Sequence, residues 1–145
     1  MAERVFYHQL DAKNRMRIPA KLKEEIGEGY AIMVGAGGCL SVLTKQEAED
    51  MTNKLSKVSR FAPEAQNYIR KVMATYWDAV EDNQGRILIP EVIRKKAKIQ
   101  KNIVILKNLS GIEIWAEEEW DKFINQEEDY DTMLAKLDTL MQEVE

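Results

Sequence analysis

DAKNRMRIP at residues 11–19 and DNQGRILIP at residues 82–90 share one nine-residue pattern, DxxxRxxIP, repeated at an offset of 71. The flanks keep that offset. Leu22, Lys23, Ile32, Met33 and Val34 stand opposite Ile93, Arg94, Ile103, Val104 and Ile105. One residue is then inserted, and Leu40, Val42 and Glu47 meet Ile112, Ile114 and Glu119 at an offset of 72. A duplicated unit of about forty residues predicts one pseudo-symmetric domain over residues 1–145. Its parts are a first repeat near 4–48, a helical connector near 45–75, a second repeat near 76–120 and a helical tail near 117–144.

Within the first repeat, Val5 to Leu10 is rich in β-branched and aromatic residues and runs into Asp11, a residue suited to the first position of a tight turn. This predicts a strand entering a hairpin. In a type I turn followed by a bulge, the residue three places beyond the Asp must accept positive φ. Asn14 and Gly85 hold that place, Gly freely and Asn at some cost. Arg15 to Ile18 and Arg86 to Ile89 are the expected return strands. Pro19 and Pro90 end them, since proline cannot donate to a ladder but fits the first turn of a helix. Short helices over Ala20 to Ile26 and Glu91 to Ala97 follow, then apolar strands near Ala31 to Val34 and Ile103 to Leu106. Turns at Gly35 to Gly38 and Asn108 to Gly111 lead into strands at Leu40 to Leu43 and Ile112 to Trp115.

Helix is expected between the repeats, over Lys45 to Val58 and Pro63 to Tyr76, and along the tail from Glu117 to Val144. Trp120, Phe123, Ile124, Met133, Leu134, Leu137, Leu140 and Met141 recur near helical spacing in that tail and form a packing stripe. The spacing leaves open whether it packs on its own domain or on a neighbouring subunit. The fold class is therefore α+β, two related halves forming a compact barrel with short helices.

A chain of 145 residues with 45% hydrophobic content can bury a core without disulfides or metal. Its N-terminus lacks the apolar stretch of a signal peptide and its apolar runs are far too short to cross a bilayer, which predicts a cytosolic protein with no membrane partner. Cys39 and His8 are each the single residue of their type, so catalytic triads, multi-cysteine zinc sites and paired-histidine metal cages lack their ligands. No cofactor, no metal and no small-molecule substrate are expected, and the enzyme class falls with them. His8 reads as a half-buried strand residue, Cys39 as a small buried thiol, and Trp115 and Trp120 as packing aromatics.

The net charge of −4 argues against a nucleic-acid partner until its distribution is read. Residues 117–145 hold eleven Asp and Glu against two Lys, a local −9, which leaves residues 1–116 at +5. The cations cluster beside the repeats: Lys13, Arg15, Arg17, Lys21 and Lys23, then Arg86, Arg94, Lys95, Lys96, Lys98 and Lys101. As hairpin tips, the two motifs would project Lys13 with Arg15 and Gln84 with Arg86. The planar Arg fork suits phosphate and guanine, Gln can pair with adenine, and Lys supplies a mobile charge. Asp11 and Asp82 would repel phosphate, so their expected work is to cap the turn N–H groups and orient the arginines. In the simpler alternative each Arg pairs with the Asp of its own turn and the loop has no ligand.

These stretches, LDAKNRMRIPAKLKEEI, VEDNQGRILIPEVIRKKA and GIEIWAEEEW, resemble the signature regions of the MraZ family of bacterial transcriptional regulators, in order and over most of the chain from Val5 to Trp120. The resemblance implies an AbrB-type swapped-hairpin barrel and sequence-specific binding of double-stranded DNA. The implied target is a set of repeated promoter boxes of the division and cell-wall gene cluster. It implies a DNA-binding surface at Lys13, Arg15, Gln84 and Arg86, shaped by Asp11, Asn14, Asp82 and Gly85. It further implies ring-shaped homo-oligomers, which align many weak loops along a repeated site, and a cytoplasmic, nucleoid-associated location. Two positions depart from the family pattern: Asn14 stands where Gly is usual, and Ala48 where a Trp often stands. The competing reading is an AbrB-like protein-interaction module or antitoxin acting through the helical tail.

Overall fold

The computed structural model describes residues 3–126 and 128–144. Residues 1, 2, 127 and 145, which the expected single domain includes, lie outside the described residues; 127 falls within the expected tail. The first repeat supplies β1 (Val5–Gln9), β2 (Arg15–Met16), α1 (Ala20–Ile26), β3 (Ala31–Val34) and β4 (Leu40–Leu43). The connector forms α2 (Lys45–Ser56) and α3 (Pro63–Met73). The second repeat supplies β5 (Trp77–Asp78), β6 (Ile87–Leu88), α4 (Glu91–Lys96), β7 (Asn102–Asn108) and β8 (Gly111–Ala116), and the tail forms α5 (Glu117–Ile124) and α6 (Tyr130–Gln142).

Period-two alternation in the motif sorts its side chains. Met16 and Ile18 are buried while Arg15 and Arg17 stand outside, and Ile87 and Ile89 are buried while Arg86 and Leu88 stand outside. The proline that ends each run takes the N-cap of the helix rather than a place within its first turn, and its carbonyl accepts from Lys23 at 2.9 Å or Arg94 at 3.0 Å. Leu22 and Ile93 then drop onto the same core. Gly27 stops α1 at φ 68°. Its counterpart in the second repeat is Lys98, held in the same left-handed region at φ 58°.

All ladders are antiparallel, and the main sheet has the order β1-β7-β8-β4-β3-β5. Exchanging the repeats reverses that order onto itself, so a pseudo-two-fold axis passes between β4 and β8. Ser41 pairs with Glu113 there, and Met16 with Ile87 in the separate ladder of β2 and β6. The copies are not identical. β5 on β3 is slid two residues relative to β1 on β7, a shift that keeps each side chain on its own face.

The expected hairpin is corrected by these pairings. Its tip closes, with the Asp11 N–H donating to the Arg15 carbonyl at 2.9 Å and the Asn14 N–H to the Asp11 carbonyl at 2.9 Å. Beyond the tip the arms part: β1 runs along β7, and β2 along β6, both in the other repeat. The cause is length. β2 spans two residues before the chain reaches Pro19, too few to ladder a five-residue strand, whereas β7 offers seven residues with Ile103, Val104 and Ile105 fully buried.

Three other expectations change. The return strands shorten to Arg15–Met16 and Ile87–Leu88, because Ile18 and Ile89 already lead into the prolines. The single long tail helix is two: α5 ends at Asn125, and the Asp129 side chain opens α6 by accepting from the Asp131 N–H at 3.2 Å. His8 is exposed on an edge strand rather than half-buried. Cys39, Trp115 and Trp120 are buried as expected; the Trp115 and Trp120 ring centroids lie 5.4 Å apart, and Phe123 stacks on Trp115.

Ile89 is 0% exposed at the centre of the core, so Ile89→Ala should cost about 2–5 kcal/mol in a urea titration. Gly85 takes φ 75° with open space around its Cβ position. Gly85→Ala should therefore lose about 1–2 kcal/mol purely from left-handed strain, and Gly85→Asn should recover part of it, because Asn14 adopts the same backbone at φ 61°.

Candidate nucleic-acid interface

The two DxxxR loops share one set of hydrogen bonds around their aspartates. Asp11 Oδ1 accepts from the backbone N–H groups of Lys13 and Arg15, each at 2.9 Å, and its Oδ2 accepts from Arg15 Nε at 2.9 Å. Asp82 does the same for Gln84, Arg86 and Arg86 Nε, again at 2.9 Å each. One carboxylate thus caps the turn with one oxygen and aims a guanidinium with the other.

The pseudo-symmetry brings the loops together. Arg15 Nη1 lies 3.7 Å from Asp82 Oδ2, and Arg86 Nη1 lies 3.8 Å from Asp11 Oδ2. Two arginines and two aspartates from positions 71 apart therefore close into one alternating lattice across the axis. The reading in which each Arg pairs with the Asp of its own turn describes half of this geometry. The cross-repeat contacts are the other half, and no local pattern announces them. The lattice is formally neutral, so outward positive charge comes from its neighbours, above all Lys13 and Arg17.

Arg17 lies in the motif beside the expected site residues and acts on the other loop. Its Nε donates to the Gln84 carbonyl at 2.7 Å, tying the second loop to the first repeat. Leu88 stands at the equivalent place in the second repeat and offers no such donor. In its stead the Asn14 carbonyl accepts from the Ile89 N–H at 3.0 Å. A signal was available: the xRxRx alternation of Arg15 and Arg17 places both on the outer face. Lys13 and Gln84 are exposed at the tips. Beside them lies an open recess of about 410 Å³ lined by His8, Gln9, Asp11, Arg15, Arg17 and Arg86 among others.

Among the described residues no three His, Cys, Asp or Glu side chains could jointly hold a metal ion, and no helix is long and apolar enough to cross a membrane. Burial pushes the Cys39 thiol up to about 11, with the nearby Glu113 carboxylate adding to the effect. That thiol is a packing group, not a nucleophile.

The backbone N–H of Arg15 is the main cause of a lowered pKa at Asp11, and that of Arg86 does the same at Asp82; the other turn N–H groups and the guanidiniums act in the same direction. A carboxylate with a lowered native pKa adds stability that is complete above its ordinary value of 3.8 and is lost as pH falls through the native value. Acidification below pH 3.8 should accordingly release both loops. Amide resonances of Lys13, Arg15, Gln84 and Arg86 should shift together in that window, and Asp11→Asn should abolish the response in the first loop.

Comparison with known proteins matches this sequence to a described family. The family model described as "MraZ protein, putative antitoxin-like" matches residues 1–71 and 79–140, which take in both repeats. The chain is 36% identical over 135 residues to the transcriptional regulator MraZ of Clostridium botulinum (strain Eklund 17B / Type B), covering 93% of this chain and 95% of that protein. It is 35% identical over 120 residues to the transcriptional regulator MraZ of Thermoanaerobacter sp. (strain X514), covering 83% and 84%. To the transcriptional regulator MraZ of Ligilactobacillus salivarius (strain UCC118) it is 33% identical over 133 residues, covering 91% and 93%. The chain therefore belongs to the MraZ family, a family of transcriptional regulators and not of enzymes.

Proposed function

We propose that the chain is a sequence-specific regulator of transcription that binds double-stranded DNA through its paired DxxxR loops. The observation that carries this reading is the shared Asp–Arg lattice, which holds two tips, with Lys13 and Arg15 on one and Gln84 and Arg86 on the other, at a set spacing about a pseudo-two-fold axis. A guanidinium anchored through Nε and leaning on a second carboxylate still has N–H donors for a phosphate or a guanine edge. Asp11, Asn14, Asp82 and Gly85 shape the loops, Lys13 supplies phosphate attraction, and Gln84 makes the second tip read differently from the first. Arg17 joins them by holding the second loop in place.

The target is a set of repeated promoter boxes of the division and cell-wall gene cluster, and the location is cytoplasmic and nucleoid-associated. A ring-shaped homo-oligomer presents many copies of the lattice, so individually weak loops gain by effective concentration along a repeated site. Strand exchange between the repeats, β1 with β7 and β5 with β3 about the pair β2 and β6, supports an AbrB-type swapped-hairpin barrel. The antitoxin-like family description and the exposed apolar side of α6 favour, as the second reading, a protein-interaction module that acts through the tail.

Fluorescence anisotropy against promoter DNA should show affinity that falls steeply with added salt, since phosphate neutralisation releases counterions. Lys13→Ala leaves every contact of the lattice intact. It should weaken binding and lower the magnitude of the salt slope by about 1. Arg15→Ala with Arg86→Ala should abolish binding, because it removes the readers and uncovers two carboxylates facing the phosphates. Tight binding by that double variant would sink the DNA reading, and absence of binding by the unaltered chain at every salt concentration would put the protein-partner reading in its place.

A further inference from the structure

Among the described residues two apolar surfaces have no partner within the chain, and their charges are opposite. The first is α6. Tyr130, Met133, Leu134, Leu137, Leu140 and Met141 recur at three- and four-residue spacing and line one side of the helix. None of its residues is buried, and Leu134, Leu137 and Leu140 are 43%, 48% and 57% exposed. A stripe of this regularity is the side of a helix that another element covers.

The second surface lies between the connector helices. Thr52, Leu55, Val58, Ile69 and Met73 line a groove of about 340 Å³, with Arg60 and Gln66 beside them. α3 buries none of its residues, and Phe61 in the turn between the helices is 87% exposed. Rise per residue makes α6, with 13 residues, about 20 Å long, and α3, with 11, about 16 Å, so one helix spans the other.

Charge selects the pairing. Residues 51–73 carry Lys54, Lys57, Arg60, Arg70 and Lys71 against Glu64, a net +4, and residues 128–144 carry Glu128, Asp129, Asp131, Asp138 and Glu143 against Lys136, a net −4. Among the described residues none of those five cations is paired with a carboxylate, and none of those five carboxylates with a cation. We propose that α6 of one copy seats in the α2–α3 groove of a second copy, its leucines on Leu55, Val58 and Ile69 and its acidic flank against the basic rim. Donor and acceptor surfaces differ, so the contact is head-to-tail, and repetition closes a ring where the rotation allows. This assignment rests on the homo-oligomer reading above and names the surfaces that would build it.

Ser56→Cys together with Leu137→Cys, in the full-length chain, tests the seat; Cys39 at 1% exposure does not compete. Oxidation should give a covalent ladder extending beyond the dimer, because every chain then carries both halves of the joint. Leu137→Cys alone should not cross-link. Efficient dimers from Leu137→Cys alone would show α6 pairing with itself, and a cross-linked species confined to monomer mass would show α6 folding back on its own groove; either overturns the proposal. Light scattering supplies the second measurement. Lys54→Glu, Lys57→Glu and Arg60→Glu combined should drop the solution mass to that of the monomer, and adding Asp131→Lys with Asp138→Lys should restore it. An oligomeric mass unmoved by these charge changes overturns the seat alone, whereas a monomeric unaltered chain overturns the homo-oligomer reading as well.

Discussion

The rest of this structure depends on the exchange of strands between its two repeats. In the first repeat a two-residue strand followed by proline cannot satisfy the five-residue strand that precedes it, and in both repeats the strand before the turn finds its backbone partners in the other half. Hydrogen bonds that would have closed two separate hairpins close a six-stranded sheet with a palindromic strand order and the separate β2–β6 ladder instead. Neither half can then unfold without leaving the edges of the other unpaired, and both halves share one core around Ile18, Ile32, Ile89 and Ile103.

Exchange also decides the electrostatics of the loops. Because β2 and β6 pair at the axis, Asp11 and Asp82 come within reach of both arginines, and four charges in two segments become one neutral lattice. Its members are partly exposed, so they add less to the stability of the fold than to the orientation of two guanidiniums. The cations around it, Lys13 above all, then carry the outward positive charge of this surface.

Charge is partitioned along the chain in the same spirit. The acidic tail emerges from β8 through α5, whose Trp120 and Phe123 lock onto Trp115, and beyond that anchor α6 presents an uncovered apolar side. An overall negative protein therefore carries a basic body, residues 1–116 at +5, and gathers its excess negative charge in residues 117–145.

Much of this was legible in the residues themselves. The repeat gave away the pseudo-symmetry, period-two alternation told Met16 and Ile18 from Arg15 and Arg17, and the Asp-to-Asn14 and Asp-to-Gly85 spacing announced turns with a left-handed residue, because each of these is a local preference of a few consecutive residues. Strand partners were not legible: β1 reads as the arm of its own hairpin until the length of β7 is set against the shortness of β2. The same holds for the link from Arg17 to Gln84 and for the cross-repeat Asp–Arg contacts, which join positions 67 and 75 residues apart. Local sequence determined the turns, the inward faces and the chemistry of each tip; only the tertiary structure decided which tips meet, since strand pairing and ion pairing across such separations depend on the geometry of the whole sheet and not on any neighbour in the chain.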